Sequence, residues 1–352
     1  AQLEAELKQC EVTTVSYRNK LKQFMIENEI WQINELNYYW REKYREYLKH
    51  RMSKTSCESY IKTFDRVKLH SLRKQSQIIL AGKRQRPEYA DEILYLPYHP
   101  NIEIAERFYK ENNKNLLAWD FTLKAAEKLK RQIFQILHYF IENAANSERM
   151  HAQLGGLARL YDFCVLEQIE DLEKLEIDQI ERFQKTFATE YQRHYYAGVT
   201  FWCGRALFME AEEIHWDANV WYMERMRLQP ERIDPAAPVM SLSFAEVTNK
   251  ENRKLLQKYL RYGIGITNLS ISNLRTEFLV VRKFLGDMNQ PETENICMVT
   301  EQQMDAWLRS EQQREVQADT FNKKVMCILH FFQYLQIKDY ITAIPFDPNY
   351  YL

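Results

Sequence analysis

Five side chains that can each meet a phosphate fall at helical spacing in one stretch of this chain. Lys62, Arg66, His70, Arg73 and Lys74 recur every three or four positions, so an α-helix sets them along one side. Ammonium and guanidinium groups in such a row neutralise phosphodiesters, while Asn and Ser residues can read base edges. Within the row, His70-Ser71-Leu72-Arg73 places an imidazole three positions before a guanidinium. The pair lies inside an amphipathic helix with no strand beside it, and it is assigned to binding rather than to catalysis.

The other clusters read as structural. Glu212, Glu213, His215 and Asp217 offer oxygen and nitrogen donors, but adjacent positions on a helix point in different directions, which favours a polar helix end over a metal site. Gly263-Ile264-Gly265 lacks a preceding strand and a phosphate-loop pattern, and reads as a bend between two helices. Tyr191, Tyr195, Tyr196, Phe201 and Trp202 could stack on bases, yet at this spacing they read as core. The cysteines Cys10, Cys57, Cys164, Cys203, Cys297 and Cys327 lie far apart with no Cys-x-x-Cys pair, as reduced thiols do. No catalytic residue, metal, cofactor or small-molecule substrate is expected.

The elements that must position the cationic row are helical. Gly and Pro number only 8 and 9 in 352 residues, none before Gly82, and apolar residues recur at helical rather than alternating spacing, which predicts an all-α fold. The length calls for two or three domains. No apolar stretch reaches the ~20 residues of a membrane span and no signal peptide opens the chain, so a soluble, cytoplasmic protein is expected, with no membrane partner. The net charge of −1 conceals an asymmetry: from Arg41 to Arg86 there are 14 Lys and Arg against 4 Asp and Glu, a face suited to a polyanion.

One apolar pattern marks helix corners. Phe24, Ile30, Ile33 and Leu36 are matched by Phe163, Ile169, Leu172 and Leu175, and by Phe331, Ile337 and Tyr340 with Ala343 in fourth place. Its starts are not evenly spaced, which favours discrete domains over a solenoid. The breakers then suggest a basic helical module at 1–80, a linker at 81–115 and a middle module at 116–228. A Pro-containing linker at 229–245, a third helical domain at 246–341 and a tail at 342–352 complete the chain. The 81–115 linker opens with Gly82 and Lys83-Arg84-Gln85-Arg86-Pro87.

Facing follows from periodicity. A helix from about Ser56 buries Cys57, Ile61, Phe64 and Leu72, turning the cationic row outward. In the third domain, Ile271, Leu274, Phe278, Val281 and Leu285 face inward, leaving Ser272, Arg275 and Lys283 outside. Phe321, Val325, Ile328, Leu329, Phe332 and Leu335 face inward on a later helix, leaving Lys323 and His330 outside.

The stretch Asn252-Arg253-Lys254-Leu255-Leu256-Gln257-Lys258-Tyr259-Leu260-Arg261-Tyr262, followed by 267–284, 299–308 and 318–335, resembles the helical core-binding domain of tyrosine recombinases, the phage-integrase family. His215-Trp216-Asp217-Ala218-Asn219-Val220-Trp221 with the segment after it is similar to larger, transposon-encoded members. The resemblance implies several small helical bundles of the SAM-like core-binding type and double-stranded DNA as partner, with self-association on DNA. It further implies that the catalytic domain lies downstream of this chain, with residues 342–352 as the exit toward it. The function so implied is DNA binding as the non-catalytic front half of a site-specific recombinase. The alternative is a helical protein-interaction scaffold whose basic stripe meets an acidic protein.

Overall fold

The computed structural model describes residues 2–10, 14–76, 86–196, 198–288, 291, 293–314 and 317–351. The chain divides into two compact units, Ala1–Glu170 and Asp171–Leu352. In the first, the described elements are α1 (Gln2–Gln9), α2 (Val15–Glu27), α3 (Tyr38–Lys49), α4 (Lys54–Ser76), β1 (Ile93–Tyr95), α5 (Ile102–Tyr109), β2 (Ala118–Asp120), α6 (Glu127–Asn143) and α7 (Ser147–Leu166). The second holds α8 (Ile177–Lys185), α9 (Glu190–Tyr196), α10 (Val199–Glu210), β3 (Val220–Tyr222), β4 (Ser241–Ser243), α11 (Lys250–Gly265), α12 (Ile271–Met288), α13 (Glu301–Gln312) and α14 (Ala318–Ile337). The fold is mostly helical, as composition predicts.

Among the described residues, two small antiparallel ribbons interrupt the helices. Leu94 sits opposite Trp119 in β1–β2, and Trp221 opposite Leu242 in β3–β4. Strands of three residues are too short for alternation to show in sequence. They lie partly in the stretches read as linkers, where Pro also sits in the first positions of 3-10 turns, Leu96–Tyr98 and Pro230–Arg232. Residues 81–85 of the first linker, including Gly82, lie outside the described residues. The boundary between the units falls at Glu170–Asp171, inside the segment read as one middle module.

The repeated corner has a common backbone cause. At the end of α2, Asn28 N–H donates to Phe24 O (3.1 Å) and Ile30 N–H to Met25 O (2.8 Å), with Glu29 left-handed at φ 57°. After α7, Glu167 N–H meets Phe163 O and Ile169 N–H meets Cys164 O, both at 2.9 Å, with Gln168 at φ 55°. This is a Schellman-type closure: one left-handed residue lets two amides cap the last carbonyls, and the next apolar residue folds back on the helix. The third corner is the same but three residues later than the apolar pattern suggests. Lys338 donates to Tyr334 O, Tyr340 to Leu335 O, and Asp339 has φ 58°. The same spacing counted from this closure falls on Tyr334, Tyr340, Ala343 and Phe346, of which Tyr334 and Phe346 are buried and Tyr340 and Ala343 exposed. Ile337, matched in the sequence pattern, is 70% exposed.

Each unit has its own apolar clusters. In the first, Leu21, Phe24, Met25 and Ile30 pack with Tyr44, Ile61, Phe64 and Val67, while α6 and α7 bury Ile133, Ile136, Leu137, Phe140, Leu154 and Leu157. The second gathers Trp221, Phe244, Leu256, Phe278, Phe284, Ile328, Phe331 and Phe332. Inward facing on α12 is as expected. On α14, Phe331 is buried and Leu329 is only partly so. The tail does not run out as a free exit: Phe346 is buried 6.0 Å from the Phe332 ring, and the Tyr351 hydroxyl donates to Asp305.

Candidate nucleic-acid interface

The long helix α4 packs against α2, α3, α5 and the turn at 33–35, so burial extends well beyond its apolar stripe. Asp65 and Lys68 are both buried. Asp65 accepts two hydrogen bonds from Arg41 (2.7 and 3.1 Å) and one from the Tyr98 hydroxyl (2.5 Å), while the Arg41 guanidinium lies 4.9 Å over the Tyr95 ring. Lys68 Nζ donates to Asn34 O at 2.9 Å, and burial lowers its pKa to about 8. Part of the positive excess between Arg41 and Arg86 is therefore consumed inside the fold.

What remains outward on α4 is the expected row apart from His70, whose Nε2 is covered by protein. Lys62, Arg66, Arg73 and Lys74 are exposed and His70 is half-buried. Arg73 Nε donates to Glu106 (2.8 Å), and Lys74 Nζ to Gln9 (2.7 Å). Lys62 and Arg66 have no carboxylate partner among the described residues. They line a groove of about 680 Å³ with Lys110 and Lys114, which follow α5. Lys110 likewise lacks an anionic partner among the described residues, and Lys114 stands 3.8 Å from Glu58. The carboxylate of Glu111, also in the groove wall, is engaged by His151 Nε2 at 2.6 Å. A single helix face thus presents Lys62 and Arg66 to solvent, and a neighbouring turn adds Lys110.

In the second unit the expected residues separate into two groups. Arg275 and Lys323 are exposed and have no carboxylate partner among the described residues. The Ser272 hydroxyl is covered by protein. Lys283 reaches Asp287 (2.6 Å) and Glu311 (2.9 Å). His330 Nδ1 lies 3.1 Å from Glu277, which also accepts the Tyr259 hydroxyl at 2.5 Å. The Glu277 hydrogen bond raises the imidazole pKa against partial burial.

The clusters read as structural are mostly so. His215 Nδ1 meets both Glu173 oxygens (2.9 and 2.8 Å), Lys174 bonds Asp217, and Arg225 caps the carbonyls of Met209, Ala211 and Glu212. Among the described residues no three His, Cys, Asp or Glu side chains converge as a metal site would require. Gly263 to Gly265 form the last turn of α11, and the bend comes after them. The aromatic cluster is not all core: Tyr191 is 73% exposed and stacks on Tyr195 at 5.7 Å. Lys110 and Lys114 escape a reading of the sequence, because they stand about 40 residues after the cationic row and only the packing of α5 on α4 brings them to it. No helix among the described residues is long and apolar enough to cross a membrane. No protein-family model, curated protein or solved structure matches the chain.

Proposed function

We propose that this chain binds double-stranded DNA through the exposed face of α4. The observation that carries the reading is the pair Lys62 and Arg66, joined by Lys110. These cations are exposed and have no carboxylate partner among the described residues, although neighbours such as Arg41 and Arg73 are paired with acids. Cations left open in this way attract a polyanion, and a duplex backbone offers evenly spaced phosphates along a helix face. In this reading the second unit is a helical bundle of the core-binding type. The chain acts as the DNA-binding front of a tyrosine-type site-specific recombinase and associates with further copies on DNA, in the cytoplasm.

An electrophoretic shift with duplex DNA over a range of salt tests it. With about five phosphates contacted, log K falls against log salt with a slope near −4.5. Replacing Lys62 and Arg66 together by Ala weakens binding at least tenfold and flattens the slope, while the melting temperature changes little, since exposed charges contribute less than ~0.5 kcal/mol to stability. Unchanged duplex affinity in that variant would leave the protein-interaction scaffold as the better account. A nicked suicide substrate checks the non-catalytic role: the expected result is no denaturation-resistant protein–DNA adduct.

A further inference from the structure

A second cationic concavity lies in the unit Asp171–Leu352, built from residues other than those of the α4 face. A groove of about 680 Å³ runs along the last turns of α11 and is lined by Arg227, Arg232, Lys258, Arg261 and Lys338, with no carboxylate in its wall among the described residues. Arg227, Lys258, Arg261 and Lys338 are exposed, and none has a carboxylate partner among the described residues. Arg232 is spent on the chain itself, donating to the carbonyls of Leu269, Ile264 and Gly263. That capping removes acceptors that would otherwise repel an anion at the C-terminal end of α11.

Three of the remaining four cations are held by aromatic seats. The Arg261 guanidinium lies 4.8 Å over the Trp216 ring, Lys338 Nζ is 5.5 Å over Tyr262, and Lys258 Nζ donates to the Tyr340 hydroxyl at 3.0 Å. Cation–π seats fix direction without cancelling charge, as a carboxylate would. Lys258 and Arg261 are one helical turn apart on α11, the spacing at which side chains are neighbours. Such a groove suits several linked phosphates. Its volume is that of a small-ligand cleft, a few hundred cubic ångströms, and a flexible chain of phosphates can bend to follow the concavity along α11.

We propose that this groove binds an unpaired phosphate chain, namely the backbone of single-stranded nucleic acid. The faces of Trp216 and Tyr262 are occupied by cations, so the contacts fall on phosphates rather than on bases and are tolerant of sequence. The site does not depend on duplex binding by α4, because the two share no residue.

The test uses the full chain and fluorescence anisotropy with three probes: a labelled 12-nucleotide single strand, a duplex, and the single strand competed by inorganic polyphosphate. Replacing Lys258, Arg261 and Lys338 by Ala is expected to weaken single-strand binding more than tenfold and to reduce its salt slope by about 0.7 for each phosphate no longer neutralised. The milder pair Lys258→Gln and Lys338→Gln, which keeps Arg261 on Trp216, gives a smaller loss in the same direction and guards against a folding defect. The Lys62, Arg66 double variant leaves single-strand affinity in place. Unchanged single-strand affinity in both groove variants overturns the proposal. If polyphosphate binds through these residues but the single strand does not, the nucleic-acid source is overturned and a free polyphosphate takes its place. If duplex binding alone fails, the role given to α4 is lost and this one stands.

Discussion

Three cations converge on Glu311, which is 1% exposed: Lys283 at 2.9 Å, Arg314 at 2.5 Å and Lys324 at 2.5 Å. Burial alone would raise the carboxyl pKa, but the hydrogen bonds from Lys324 and Lys283 outweigh it and hold the pKa below the usual range. A depressed acid contributes stability above its unfolded pKa and loses it as pH falls through the folded value. Because the three cations are themselves partly exposed, removing the acid lets them return to water, so Glu311→Gln is expected to cost about 1–3 kcal/mol, read from urea midpoints at pH 7. The histidines lose stability in the same direction, but at a higher pH and because of burial rather than ion pairing. His99 and His138 are fully buried with their Nε2 atoms 3.2 Å apart. His99 Nδ1 accepts from Asn101 N–H, and His138 Nδ1 donates to Phe134 O, so His99 supplies the proton between the rings. Burial pushes the pKa of His99 down to about 3 and also lowers that of His138. The unfolded chain therefore binds more protons than the folded one below pH ~6.5. Stability is lost as pH falls through that value, by about 2 kcal/mol for His99 at pH 5. Chemical denaturation at pH 7 and pH 5 measures this, and His138→Phe should reduce the difference.

At the scale of elements, the three corners make a sharper statement. Glu29, Gln168 and Asp339 sit in the left-handed region, where a side chain costs ~1 kcal/mol or more relative to glycine. Gln168→Gly is expected to raise the stability of the chain by up to ~1 kcal/mol, whereas the β-branched Gln168→Val lowers it by ~1–2 kcal/mol, as thermal melts would show. Ile328→Ala should cost ~2–5 kcal/mol, and Leu329→Ala less, because Leu329 is half-buried and leaves a smaller cavity. The first two corners are visible in apolar spacing, yet the same spacing sets the third three residues early. Phe331 and Tyr334 share one helix face, so an apolar pattern matches at either phase, and only the backbone capping decides between them. The cationic row on α4 is visible for the same periodic reason. The pairing of Lys283 and His330 is not, because spacing shows which side of a helix faces away from its own core and not that an acid on another helix stands opposite. The carboxylate-free groove of Lys258 and Arg261 is hidden in the sequence because its members come from four separated stretches, each ordinary in charge.

For the whole molecule, the division at Glu170–Asp171 carries an expectation of its own. Each unit owns apolar clusters of buried aromatic and aliphatic side chains, large enough for cooperative folding. Expressed separately, residues 1–170 and 171–352 should each give a single cooperative thermal transition by circular dichroism; a broad, non-cooperative melt of either piece would show that the division does not mark independent folding.

The seat of Arg261 on Trp216 also has an optical side. An indole with a guanidinium 4.8 Å over its ring emits according to where that charge rests, and Trp221, 4.9 Å away edge to face and fully buried, offers a second, shielded chromophore beside it. An anion drawing Arg261 off the ring would change the intensity and wavelength of Trp216 while leaving Trp221 in its apolar surroundings. The protein thus carries its own dye at the mouth of the groove, and a Trp216→Phe control would subtract it from the background of the remaining tryptophans.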